Sequence, residues 1–173
     1  YVLTVGATNG PEAGQPEVAC TFANGGLISS GGGFSKFHPR PKWQDASVTA
    51  FLKRNASGAL PPADMFNQSG RAYPDVALMG HGYPTADGGK FYPVSGTSAS
   101  TPVMAALLTL VNERRLEMGK SPVGMVAPAL YALQGMGVFH DITEGRNNCC
   151  AAQTDPVCCP HASDGSCCSS SSR

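Results

Sequence analysis

No run in this sequence approaches the roughly 18 consecutive apolar residues that a bilayer-spanning helix requires, and the longest, 103–111, is interrupted by Thr109. Charge is scarce and balanced: 14% of residues are charged, 12 basic against 12 acidic, with no basic block. Nucleic acid and anionic membrane surfaces therefore gain no electrostatic hold, and neither is expected as a partner. No signal peptide is visible at the start. Residues 1–8 are instead an apolar run with glycine at position 6, which reads as a buried parallel strand. Cysteine is nearly absent from the first 145 residues, where Cys20 stands alone.

The remaining six cysteines crowd into three doublets, Cys149-Cys150, Cys158-Cys159 and Cys167-Cys168, which recur every nine residues. Disulfides in an oxidising compartment are one reading of this repeat, and a thiolate metal site is the other. Six cysteines allow about 15 pairings, so the spacing leaves connectivity open. Two sequons, at Asn55 and Asn67, would permit glycosylation in a secretory pathway. The final serine run, 169–172, is low in complexity and is expected to be disordered.

What the sequence does contain is one stretch that organises the rest, 94–111, VSGTSASTPVMAALLTLV. Residues 91–94 look like the end of a strand. The chain then turns through Ser95, Gly96 and Thr97, and from Ser98 onward Val103, Met104, Leu107, Leu108, Leu110 and Val111 predict a buried helix, apolar on most faces. A small-residue turn feeding such a helix puts the Ser98 hydroxyl at a helix N-terminus. Free backbone N–H groups and the positive end of the dipole there favour a developing oxyanion. Taken alone, serine and threonine before a helix are simply N-caps. Gly96, which permits a close approach, and Pro102, about one turn in, add to that the pattern G-T-S-x-x-x-P.

This pattern resembles the nucleophile motif of the subtilisin-like superfamily, and the fuller SGTSASTP is similar to that of its acid-active branch, the sedolisins or serine-carboxyl peptidases. Three further strings carry the resemblance: SGGGFS at 30–35, FNQSGRAYPDVA at 66–77 and FHDITEG at 139–145. The resemblance implies an α/β fold, with a mainly parallel sheet, helices on both faces and the serine at a strand-to-helix junction. Residues 1–145 would then be the C-terminal part of a peptidase catalytic domain, and 146–173 a cysteine- and serine-rich tail. It further implies an acid-active enzyme of the lysosome or the secreted compartment that acts on peptide or protein substrates, in one branch three residues from a free N-terminus.

Ser98 needs a base, because a serine hydroxyl is a poor nucleophile at its own pKa. The resemblance implies a glutamate oriented by an aspartate at i, i+4 on one helix, and a carboxylate base works best in acid. No Glu-x-x-x-Asp occurs here: Glu113 is followed by Glu117, Glu117 by Ser121 and Glu144 by Asn148. Both partners, and the family's oxyanion aspartate, are therefore expected in an upstream part of the same polypeptide. A non-catalytic, truncated relative that binds through its cysteine-rich tail is the alternative. A subtilisin-type enzyme with an upstream histidine base is a third reading, since His81 lacks the Gly-Thr that follows such a base and reads as a loop histidine.

The resemblance also implies one calcium ion. Asp141 would bind through its carboxylate and Ile142 through its carbonyl, as suits a hard cation. The second half of the family's calcium loop survives only as Asp155-Pro156-Val157, and Asp164 is a further carboxylate.

Elsewhere the pattern is structural. Residues 18–28, interrupted by Asn24-Gly25-Gly26, predict a hairpin. Pro41 opens a helix through Leu52, with Gln44, Val48, Phe51 and Leu52 on one face and Trp43 beside them. The loop 55–68 is polar. Arg71 and Asp75 are placed to form a structural ion pair, ahead of a short strand over 75–78. The long helix ends near Gly119, and 128–133 forms a short one with Leu130 and Leu133 inward.

Overall fold

The computed structural model describes residues 2–21, 24–54, 60 and 63–145. The tail from 146 onward, with its cysteine doublets and Asp155, lies outside the described residues, as does the Asn55 sequon.

The opening apolar run forms β1 (Val5–Asn9), four of whose five residues are buried. Its neighbours are β2 (Val18–Ala19), antiparallel, and β5 (Val76–Met79), parallel, in the order β2-β1-β5. The strand β3 (Gly33–Pro39) pairs antiparallel with β4 (Gly70–Tyr73) in a second sheet. A third is the ribbon of β6 (Tyr83–Asp87) and β7 (Lys90–Val94). Among the described residues three α-helices complete the fold: α1 (Asp45–Arg54), α2 (Thr97–Glu117) and α3 (Ala127–Ala132). None is long and apolar enough to cross a membrane among the described residues.

The architecture is α/β, but its sheets are mixed rather than mainly parallel. Parallel pairing needs a long crossover, which β5 has. The strand β7 follows β6 after a two-residue turn, and β2 follows β1 after the loop 10–17, which is too short for the crossover that a parallel pair needs, so both pairs are antiparallel. The hairpin expected over 18–28 does not form beyond β2. The Thr21 carbonyl accepts from the amides of Asn24 (3.0 Å) and Gly26 (2.8 Å), and the Ser30 amide donates to the Cys20 carbonyl (2.8 Å), so the segment closes on itself as a loop. The strand end expected over 91–94 is present in β7, whereas its partner β6 was hidden in the sequence. Pro84 and Pro93 face each other across the ribbon, and proline argues against a strand except where the ladder is open to solvent. Its two-residue turn needs positive φ at both positions, which Gly88 (55°) and Gly89 (76°) supply.

The core is small and largely polar. Ala7, Cys20, Val48, Met104 and Ala127 are its buried apolar residues, while Gln44, Thr8, Thr21, Cys20 and Ser100 are the largest fully buried side chains. Buried polar groups must be hydrogen-bonded, and Gln44 shows how this is met. Its amide nitrogen donates to the Ala72 carbonyl (2.9 Å) and the Asp75 carboxylate (3.0 Å) and lies 2.9 Å from the Tyr131 hydroxyl, while its oxygen accepts from the Ala72 amide (3.0 Å). Gln44 sits in a 3-10 turn (Lys42–Gln44) that leads into α1, one residue before the helix itself.

Asp75 is the hub of this region. Its side chain is fully buried and receives the Arg71 guanidinium at 2.7 Å, the Thr4 amide and hydroxyl at 2.8 Å each, and the Tyr131 hydroxyl at 3.2 Å. Trp43 lies between Tyr131, 4.9 Å away ring to ring, and the Arg71 cation, 5.8 Å from its ring. The expected structural ion pair is therefore formed. It ties β4 and β5 to α3.

The long helix packs on β1 and β5 with Ser100 and Met104 buried, but the expectation of burial on most faces fails. Leu107, Leu110, Val111 and Leu116 are 47–60% exposed. Only one side of the helix meets a sheet among the described residues, so only one stripe is covered.

Candidate active site

The turn that carries the candidate nucleophile is built at the carboxyl ends of the parallel pair β1 and β5, the end of an open α/β sheet where ligands bind. After β5, the Gly80 amide donates to the Thr8 carbonyl of β1 (2.8 Å), and the Gly80 carbonyl accepts from the Gly96 amide (2.7 Å). The Gly82 amide donates to the Ser95 hydroxyl (3.1 Å). The ribbon β6–β7 thus leaves and returns through a pinned base, and the chain enters α2 directly from it.

Gly80 is what lets the turn seat so closely. A Cβ there would lie 2.5 Å from the Ala7 Cβ and 3.2 Å from the Gly96 carbonyl oxygen. At Gly96 itself a Cβ would meet only ordinary contacts, 3.5 Å from the Ser98 amide. The close approach expected of Gly96 is therefore made by Gly80.

Thr97 is the first residue of α2 and Ser98 the second. The first bond of the helix runs from the Ala99 amide to the Gly96 carbonyl (2.9 Å), so the amides of Thr97 and Ser98 precede it and belong to the unpaired helix N-terminus. Ser98 is exposed, and its hydroxyl makes no hydrogen bond among the described residues. It does not serve as the cap. The neighbouring hydroxyls do the structural work: Thr101 donates to the Thr97 carbonyl (2.7 Å), and buried Ser100 donates to Thr97 (3.1 Å) and across to Gly6 (3.0 Å).

Pro102 is the sixth residue of the helix, not a first-turn position. Lacking an N–H, it withholds the donor that the Ser98 carbonyl would have met four residues on. Its cost is one hydrogen bond, and it falls on the carbonyl of Ser98, the candidate nucleophile.

His81 lies in the loop as expected, yet it is not idle. Its Nδ1 is 2.7 Å from a Glu12 carboxylate oxygen, and the other oxygen of Glu12 accepts from the Gly10 amide (2.8 Å). Burial raises the Glu12 carboxyl pKa, but hydrogen bonds from its own amide, His81 and Gly10 bring it, on balance, below the ordinary value. A lone loop histidine and a glutamate 69 residues earlier carry no spacing signal, so the sequence did not link them.

Asp141 and Ile142 lie at the end of the described chain, far in sequence from Ser98. The Asp141 carboxylate is paired with the Arg54 guanidinium at 3.2 Å, both side chains being more than half exposed. No group of three or more His, Cys, Asp or Glu side chains converges among the described residues. Of the expected calcium ligands, the described carboxylate, Asp141, faces the Arg54 cation, which an ion bound there would have to displace. Cys20 is a free, buried thiol whose pKa burial pushes up, so it is not an activated nucleophile.

Comparison with known proteins adds a lineage to this geometry. No family model matches the chain. It is 49% identical over 153 residues to Tripeptidyl-peptidase 1 of Homo sapiens and 44% over 158 to that of Mus musculus, matches that take in 87% of this chain. It is 43% identical over 135 residues, 77% of the chain, to Physarolisin of Physarum polycephalum. The chain spans about a quarter of the length of these relatives, 25% and 23% respectively. At such identity over most of its own residues, with the serine turn on the rim of a parallel strand pair, the chain belongs to the sedolisin family.

Proposed function

We propose that this chain supplies the nucleophile of an acid-active serine peptidase, with Ser98 attacking the carbonyl of a peptide or protein substrate. The observation that carries the reading is Ser98 itself: an exposed hydroxyl, free among the described residues, beside the unpaired amides of Thr97 and Ser98. Two relatives are named tripeptidyl-peptidases, which supports release of tripeptides as the specific form.

In this reading a base takes the proton from Ser98 Oγ as Oγ bonds to the carbonyl carbon. The oxygen that becomes negative faces the helix N-terminus, where preorganised donors stabilise it. The C–N bond then breaks, the amine leaves with the proton, and water releases the acyl group from Oγ. The base is a glutamate oriented by an aspartate, supplied with the oxyanion aspartate by polypeptide beyond these residues. Calcium at Asp141, Ile142 and Asp155 belongs to the proposal as a structural ion, as does a lysosomal or secreted location.

A second reading, a non-catalytic relative that binds through its cysteine-rich tail, is favoured by one fact. No base contacts the Ser98 hydroxyl among the described residues. Peptide hydrolysis at acid pH, measured for a full-length form that includes the upstream polypeptide and for the same form with Ser98→Ala, separates the two. Loss of hydrolysis on substitution, with a phosphonate label on Ser98, is the expected result. Activity that survives the substitution would remove Ser98 from the mechanism, and a protein inactive in both forms would favour the second reading.

A further inference from the structure

We infer that Glu12 and His81 are a positioning pair for the nucleophile turn, engaged when the imidazole is protonated. The consequence for catalysis rests on the reading of Ser98 as nucleophile; the structural coupling does not.

His81 lies between two residues that are each bonded to the turn leading into α2: Gly80 through its carbonyl to the Gly96 amide, and Gly82 through its amide to the Ser95 hydroxyl. Whatever fixes His81 therefore fixes the approach of the turn. Glu12 does so from the loop after β1, itself anchored by the Gly10 amide, so the carboxylate joins the exits of the two parallel strands on which Ser98 stands. The two side chains are only 19–22% exposed, which weakens solvent screening of their attraction relative to a surface pair.

Among the described residues, His81 is the one charged partner felt by Glu12. Cys20, on the loop beside β2, feels the Glu12 charge as a cause that, after burial, raises its thiol pKa. Glu17 accepts from the Thr8 hydroxyl at 2.6 Å, and Tyr83 donates its hydroxyl to the Met79 carbonyl at 2.7 Å. Among these groups His81 alone can carry positive charge to Glu12. An imidazole takes up that charge on going from neutral to acid pH, while Glu12 stays ionised below the usual carboxylate range. With the ring protonated the pair is charged, whereas a neutral ring keeps at most an ordinary hydrogen bond, which is weaker than the charge-assisted one.

The test is an amide-resolved NMR titration of the full chain from about pH 5 to pH 8, the range that brackets an imidazole. The amides of Gly82, Gly96 and Ser98 should shift together with the His81 ring, and that shared shift should be lost in Glu12→Gln and in His81→Gln. A Ser98 amide that does not move with the His81 ring, or one that still does so in Glu12→Gln, would overturn the coupling. If a variant loses its dispersed spectrum, the titration of the unaltered chain decides alone. In an active full-length form, Glu12→Gln should lower kcat on the acid side with KM unchanged, and an unaltered kcat profile would overturn the positioning role. A full-length form inactive at every pH but with coupled amides would instead count against the nucleophile and leave this pair standing.

Discussion

The Ser100 hydroxyl donates to the Gly6 carbonyl at 3.0 Å, across 94 residues of sequence, inside a contact from which water is excluded. It fastens the first turn of α2 to β1 two residues beyond the candidate nucleophile. Ser100→Ala removes that donor and leaves a buried carbonyl with one partner fewer. Such orphaning costs about 1–3 kcal/mol. The expected outcome is a urea midpoint lowered accordingly with an unchanged slope, whereas Thr101→Ala, whose hydroxyl is exposed and bonds only within the helix, should move it far less.

A larger loss is expected at Asp75. Asp75→Asn keeps the shape but removes the charge that faces Arg71, whose side chain is 18% exposed. Breaking one side of a buried pair costs about 3–5 kcal/mol, because the remaining charge stays uncompensated. Chemical denaturation should therefore show Asp75→Asn to be among the most damaging isosteric changes in the chain. A double change with Arg71→Met should recover part of the loss.

The sequence made the local features legible and left most of the long-range ones hidden. The second half of the run at 1–8, the i, i+4 pair of Arg71 and Asp75 and the turn into α2 follow from periodicity and short spacing and are present, whereas the strand begins only at Val5 and Val2 is exposed. Gln44, Tyr131 and Thr4 meet at Asp75 from three separate elements, and no spacing predicts such a convergence. The burial of α2 was overestimated for a related reason. Apolar composition says that a surface can be covered, and only packing says that it is. Ser98 was legible because a motif places it, and its base was not because the described residues bring no base to it.

Tyr131 gives a pH dependence of definite sign. Burial, and then the nearby Asp75 charge, push its hydroxyl from 10.0 up to about 12. Its neutral form is the one the fold favours, so its contribution is complete below pH 10 and declines as pH rises from there through about 12. Thermal melts should show a fall in Tm over that interval that Tyr131→Phe reduces, although the phenylalanine variant starts lower by the lost bond to Asp75. A Tm that falls with the same steepness in both proteins would assign the alkaline transition to another group.

Gly80 tests how tightly the turn into α2 is seated. An alanine there meets the Ala7 Cβ at 2.5 Å, an overlap with backbone on both sides that cannot relax by rotation. Overpacking of this kind costs about 1–3 kcal/mol, and it should also displace the Gly96 amide. Ala7→Gly removes the first obstacle, so the double variant should regain much of the stability lost by Gly80→Ala alone. Full additivity of the two losses would mean that the residues do not compete for the same space.

The calcium proposal turns on Arg54. Its guanidinium occupies the Asp141 carboxylate at 3.2 Å, and exposed pairs of this kind contribute about 0–1 kcal/mol. A calcium ion that uses Asp141 must displace it, so Arg54→Gln should tighten binding by no more than about fivefold, the equivalent of that energy. Asp141→Asn should abolish the same binding, because a hard cation loses its charged oxygen ligand. Isothermal titration with calcium alone reads both changes. Binding that is indifferent to Arg54 and Asp141 would place any ion elsewhere on the chain, and would leave Arg54 and Asp141 as an ordinary surface pair joining the end of α1 to the segment after α3.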